Sequence, residues 1–227
     1  MRLKLLSLAL ISAGSIASET ETETLSNIST EQSETLLVTS KFHGYKTEND
    51  SEFRYVDTVD LNGIDWAFWY GENRSQSKPK TNLISDVKTF GEFEFQAQKP
   101  AHGNEYLWNS GSSRDFLGES NHAILVKHGG GFEFTVKPGK AGEFKLDLYT
   151  HNWLAMSEFT ACLKNDCVTI TNYYPSHIST TKNSVEFSTH TTTDELTITY
   201  KAKNDQFSWK DNAPYHALEA INLSEVK

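Results

Sequence analysis

Asp65-Trp66-Ala67-Phe68-Trp69-Tyr70-Gly71 sets four aromatic rings and a carboxylate in one short run. Strand alternation sends Trp66, Phe68 and Tyr70 to one face and Asp65, Ala67 and Trp69 to the other. Each face then carries a Trp, so the strand is either buried on both sides or presents one ring outward. An outward flat ring suits a sugar; a buried one is core. Asp65 has three readings: a calcium ligand, a catalytic acid, or a carboxylate that accepts hydrogen bonds from backbone amides at a turn. The last is the commonest and is the expectation here.

Working outward, period-two apolar runs dominate. Tyr55–Leu61, Phe93–Ala97, Ala123–Val126, Phe132–Val136, Phe144–Tyr149 and Leu196–Tyr200 all read as strands. Gly129-Gly130-Gly131, Pro138-Gly139 and Asn204-Asp205 punctuate them, and Val136–Phe144 reads as a hairpin connection. No stretch sustains capped helical periodicity. The expectation is all-β: a single antiparallel β-sandwich. Its long polar loops, 71–81, 98–105 and 108–121, are where binding residues tend to sit.

Arg2 and Lys4 precede an apolar run from Leu5 to Ala17, with Ser15 and Ala17 as small residues before a cut. Residues 1–17 therefore read as a secretory signal peptide, and the protein as secreted, extracellular or periplasmic. The run is too short for a good membrane span, so no membrane insertion is expected. Removing Arg2 and Lys4 from 21 basic residues leaves 19 against 30 acidic ones, which takes the formal charge from −9 to −11. Residues 18–35 hold Glu19, Glu21, Glu23, Glu31 and Glu34 and no basic residue. They read as a disordered acidic leader, because they bury too little apolar surface to order themselves. Residues 36–227 suit one domain of ordinary size. They lack a basic stripe, and no nucleic-acid partner is expected.

Cys162 and Cys167 flank Leu163-Lys164-Asn165-Asp166. If Lys164-Asn165 is a two-residue turn, the cysteines face each other as a non-hydrogen-bonded pair, with Cα atoms roughly 4.5 Å apart. An exported protein favours their oxidation to a disulfide, whereas two thiolates alone make a poor zinc cage. In so short a loop the bridge would mostly fix register.

Several motifs together resemble a bacterial secreted β-sandwich module to which no activity is assigned. It is found alone after a signal peptide or appended to secreted glycoside hydrolases. The matching pieces are Val59-Asp60-Leu61, Asp65-Trp66-Ala67-Phe68-Trp69, Trp108-Asn109-Ser110-Gly111 and Gly130-Gly131-Phe132. Tyr149-Thr150-His151-Asn152-Trp153 and His216–Leu223 complete the order, so the resemblance spans about Tyr55 to Leu223. Tyr70 departs from it, standing where the pattern puts Gly directly after the second Trp. The resemblance implies a jelly-roll topology like that of galactose-binding-like carbohydrate-binding modules. Fold analogy supplies no function by itself.

A sugar site needs a flat apolar platform flanked by groups that hydrogen-bond hydroxyls. Trp69, Tyr70, Trp108, Trp153 and Trp209 are the candidate platforms, with Asn109, Arg114, His151 and Asn152 as polar partners. Trp66 and Trp153 read more readily as core. Trp108 lies in a polar, Gly-containing loop and is the leading candidate, with His151 and Asn152 expected at the same rim. No cofactor is expected; a structural calcium, served by the acids of 48–52 and 57–60, is the open alternative. No Gly-x-Ser-x-Gly elbow or His-Glu-x-x-His occurs, and no local spacing certifies a glycosidase carboxylate pair. The reading is a non-catalytic binding module for carbohydrate or a cell-surface glycan. Its rivals are a structural or protein-interaction sandwich and, behind both, a glycan-active hydrolase.

Overall fold

The structure, a computed structural model, describes residues 28–46, 57–69, 74–77, 81–91, 93–96, 104–108, 116–119, 123–127, 129–153, 156–173, 178–203 and 215–227. It is all-β, with seventeen strands among these residues, numbered here in chain order. The large sheet runs β1 (Ile28–Gln32), β2 (Leu36–Lys46), β15 (Ile178–Thr189), β12 (Gly142–Trp153), β17 (Tyr215–Glu225), β10 (Ala123–Lys127) and β7 (Phe93–Gln96). A branch adds β4 (Asp65–Trp69), paired to β17, and β5 (Arg74–Ser77), paired to β4. The facing sheet runs β14 (Asp166–Tyr173), β13 (Met156–Leu163), β16 (Leu196–Ala202), β11 (Gly131–Val136) and β6 (Lys88–Phe90). Alternating apolar residues from the two sheets fill the space between them: Phe144, Leu146 and Leu148 on one side, Phe132, Phe134 and Ile198 on the other. Burial of this kind contributes roughly 1.5–3 kcal/mol per large side chain before entropy is counted.

A third, small sheet departs from the expected two layers. β3 (Asp57–Leu61), β8 (Asn104–Trp108) and β9 (Phe116–Glu119) form it, and β3 runs parallel to β8. It supplies Val59, Leu61, Tyr106 and Trp108 to a second cluster with Trp66, Phe68, Tyr149 and Ala220. This settles the two-sided strand. In β4 all five residues are buried: Ala67 and Trp69 enter the inter-sheet core, and Trp66 and Phe68 enter the second cluster. Asp65 serves the turn, as expected. Its carboxylate accepts from the backbone N–H of Trp66 (2.9 Å), Leu83 (2.9 Å) and Ile84 (3.0 Å) and from the Thr81 hydroxyl (2.7 Å).

Ile28–Gln32 lies inside the segment expected to be disordered, yet it pairs in register with β2 from Ile28↔Lys41 to Gln32↔Leu37. The composition argument weighed only side-chain burial, and this strand is held by backbone pairing along a sheet edge. The turn that follows is anchored as well: Ser33 Oγ, Thr35 Oγ1 and Thr35 N all donate to Asp166 Oδ2, at 2.7, 2.5 and 3.0 Å. Those hydrogen bonds hold the Asp166 carboxyl below its ordinary value.

Cys162 and Cys167 are cross-strand partners joined by a disulfide, with Cα atoms 4.1 Å apart. Lys164 carries the turn at φ 58°, a left-handed conformation that costs a non-glycine residue roughly 1 kcal/mol. Because β13 pairs on both sides, the bridge constrains a strand already fixed. Replacing both cysteines by Ser is expected to cost no more than about 2 kcal/mol in urea unfolding. A larger loss would mean that the bridge, and not the ladder, sets the register.

Candidate functional site

Two polar constellations stand out on the large sheet, and both follow from its register. The first is a three-by-three patch on the face away from the inter-sheet core. Across β2, β15 and β12 the directly opposed residues are Leu37–Glu186–Lys145, Thr39–Ser184–Asp147 and Lys41–Lys182–Tyr149. Strand alternation creates this patch, because Leu36, Val38, Phe144, Leu146, Leu148, Val185 and Phe187 take the other face. Thr58, Val59 and Asp60 of β3 border it, closing an open groove of about 430 Å³. That volume lies within the range usual for small-ligand sites.

The groove floor is laced with hydrogen bonds. Ser184 Oγ donates to Asp147 Oδ1 at 2.6 Å, and Lys182 Nζ lies 2.9 Å from Asp147 Oδ2. Lys145 Nζ lies 3.1 Å from Glu186 Oε1, and Lys182 sits over the Tyr149 ring, 5.6 Å from its centroid. Asp60 on the bordering strand accepts from Asn62 Nδ2 at 2.9 Å. The patch thus offers fixed donors and acceptors of both kinds beside one phenol ring.

The second constellation is buried under β8 and depends on a bulge. Tyr149 pairs with Ala220 and Thr150 with Leu218, so Glu219 is the extra residue in β17. The bulge re-aims its side chain. Glu219 also stands where the other edge of β17 changes partner, from β10 at residues 215–218 to β4 at residues 220–223. One carboxylate oxygen lies 2.7 Å from His151 Nδ1; the other accepts from Tyr106 Oη and from Asn104 Nδ2 at 3.2 Å. Burial by itself would push Glu219 up, but the hydrogen bond and charge of His151, with Tyr106 and Asn104, outweigh it and hold the carboxyl below its ordinary value. Burial and the Glu219 charge push the Tyr106 phenol up, and do the same, to about 12, for Tyr215, whose ring lies edge-on to His151, so both stay protonated. Glu219 is 2% exposed and His151 6%. Chemically this is a satisfied carboxylate that ties β8 to the bulge.

The residues expected to bind ligand do not gather at one rim. Trp69 is 2% exposed and belongs to the inter-sheet core, which corrects its reading as a platform. Trp108 is 6% exposed, its ring 5.1 Å from Phe68 and 6.2 Å from Trp66 between centroids. Its apolar area is covered by the sandwich itself, so it too is corrected from platform to core. His151 and Asn152, expected side by side at the rim, point to opposite faces because they are adjacent in a strand. His151 reaches Glu219, while Asn152 is fully buried between the sheets with His216 and Tyr200. Tyr70, Asn109 and Trp209 lie outside the described residues. Among the described residues, no three His, Cys, Asp or Glu side chains gather to hold a metal, and Asp65 is spent on amides. No helix among them is long and apolar enough to cross a membrane.

Neither constellation was singled out from sequence, though traces were present. Glu219 interrupts the apolar run Ala217-Leu218-Glu219-Ala220-Ile221, and Lys145-Leu146-Asp147-Leu148 alternates charge with Leu. Those alternations give a polar face, but not which strands lie beside it.

No protein-family model matches the chain, and no curated protein does. Among solved structures, the carbohydrate-binding module TmCBM61 in complex with β-1,4-galactotriose is similar over 63% of this chain and 90% of its own, at 11% identity and TM-score 0.41. An isomalto-dextranase of Arthrobacter globiformis T6, complexed with panose, is similar over 83% of this chain and 34% of its own, at 10% identity and TM-score 0.32. Both likenesses are too distant to carry a functional assignment.

Proposed function

We propose that the chain is an exported, non-catalytic module that binds carbohydrate in the groove between β3 and the outer face of β2, β15 and β12. One observation carries the reading: the pre-paired floor of Thr39, Ser184, Asp147, Lys182, Lys145 and Glu186 in an open, ligand-sized concavity. Sugar hydroxyls both donate and accept, and a floor of locked lysine–carboxylate pairs meets both needs with little ordering cost. Tyr149, largely buried beneath Lys182, closes one side of the groove. The buried Glu219 cluster, closed off from solvent, supports a scaffold role for the only carboxylate–imidazole pair among the described residues, and so favours binding over hydrolysis.

The test is a glycan array on the mature protein, followed by titration of the best binder against Thr39→Ala/Ser184→Ala. Both side chains are half-buried groove residues, so the double variant should keep its fold by circular dichroism. Affinity is expected to fall about tenfold or more through the lost hydrogen bonds. If no glycan binds the parent, or the double variant binds unchanged, the structural or protein-interaction reading replaces this one.

A further inference from the structure

We infer that the groove takes an anionic glycan, one bearing carboxylate or sulfate groups, and that Lys41 is the residue that reads the charge. The inference rests on the carbohydrate reading above and narrows its ligand class.

The register puts Lys41 directly opposite Lys182 on the open face of the sheet. Like charges in opposed cross-strand positions repel and destabilise the pair. Elsewhere on the patch the charges are matched: Lys145 with Glu186, and Lys182 with Asp147. Lys182 thus spends its ammonium on Asp147 and on the Tyr149 ring, which leaves its neighbour uncompensated. Lys41 is exposed, and among the described residues no carboxylate comes within ion-pair distance of it. Asp60, the acid on the bordering wall, keeps its charge while accepting from Asn62 and forms no ion pair with Lys41.

A chain of formal charge −9 therefore places an ammonium without an ion-pair partner beside a second one in this groove. An anionic group bound there relieves the repulsion and makes a charge-assisted hydrogen bond, the stronger kind. A neutral sugar hydroxyl can accept from the ammonium but brings no charge to relieve the repulsion. Carboxylate and sulfate oxygens share this chemistry, since both present acceptors to an ammonium.

The experiment is calorimetric titration of the mature protein with three probes of equal length. They are an oligogalacturonate, its fully methyl-esterified form, and a sulfated galactan oligomer. The esterified form keeps the shape and hydroxyls of the first and lacks its charge. At least one anionic probe is expected to bind about tenfold or more tighter than the ester, and the ratio of the two anions reports whether carboxylate or sulfate is preferred. Lys41→Ala is expected to bring the anion down to the level of the ester, weakening the anion far more than it weakens the ester. The same variant should melt at or above the parent's temperature, because it removes a like-charge pair; a merely structural lysine would do the reverse. An ester that binds as well as the acid, or an anion preference that survives Lys41→Ala, overturns the inference and leaves the carbohydrate reading in place. Binding only to unrelated neutral glycans has the same effect. If no glycan of either charge binds, both readings fall together.

Discussion

Glu219→Ala is expected to lower stability by about 3–5 kcal/mol, the scale for breaking a buried, hydrogen-bonded charge cluster from one side. The substitution leaves Tyr106 Oη, Asn104 Nδ2 and His151 Nδ1 without their shared acceptor, and burial denies them water as a substitute. For a chain of this size each kcal/mol is roughly 2–4 °C of melting temperature, so a drop of about 10 °C is the visible sign. Urea unfolding should show a lower midpoint at unchanged slope. Tyr106→Phe, which removes one donor and leaves the carboxylate its other partners, should cost only about 1–2 kcal/mol. A loss under 1 kcal/mol for Glu219→Ala would mean that the small sheet does not depend on this anchor.

Acid should weaken the fold well before carboxylates titrate. Burial between the sheets pushes His216 down to about 3; the His151 charge adds to this, and a hydrogen bond to the Met156 carbonyl, 2.9 Å from Nε2, opposes it. In the unfolded chain the same imidazole titrates near 6.5. Between those values the unfolded state takes up a proton that the native state refuses, so stability is full above about pH 6.5 and declines as pH falls toward 3. The slope is at most about 1.4 kcal/mol per pH unit, and about 2 kcal/mol is gone by pH 5. Asp166, Asp194 and Glu219 have lowered values, so their contributions begin to go as pH falls through the ordinary carboxylate value and are lost on the way down to the lowered one. Measuring unfolding free energy from pH 7.5 to 4.5 in the parent and in His216→Gln separates this imidazole from the other histidines. A flat profile, or one that His216→Gln leaves unchanged, would contradict the assignment.

Alternation was enough to read the class of the fold, because it is a local property of each strand. The disulfide was legible for the same reason, since both cysteines sit on one two-residue turn. Asp65 was also legible, though the partners at Thr81, Leu83 and Ile84 were not. What escaped was everything set by non-local register. Trp108 is the last residue of β8 and runs straight into the polar Asn109-Ser110-Gly111, so its sequence context does not announce that it packs onto Trp66 and Phe68. His151 and Asn152 look like a pair in sequence, yet adjacent strand residues cannot share a face. The groove joins Thr39, Ser184 and Asp147, far apart in the chain, and Glu219 is aimed by a bulge that no residue pattern marks.

β17 has a consequence for how the protein is made. It lies between β12 on one edge and β10 with β4 on the other, so it is the keystone of the large sheet, yet it is the last of the described strands along the chain. A polypeptide that has not reached β17 has two halves of the large sheet without the strand that joins their backbone ladders. Both halves would display unpaired backbone and bare apolar faces to whatever shares their compartment. Closure waits on contacts between residues more than a hundred positions apart, such as Asp65 with Leu223, which makes assembly slow and all-or-none. The large sheet is therefore completed only once β17 has been made, although the facing sheet and the β1-β2-β15-β12 ladder pair without it.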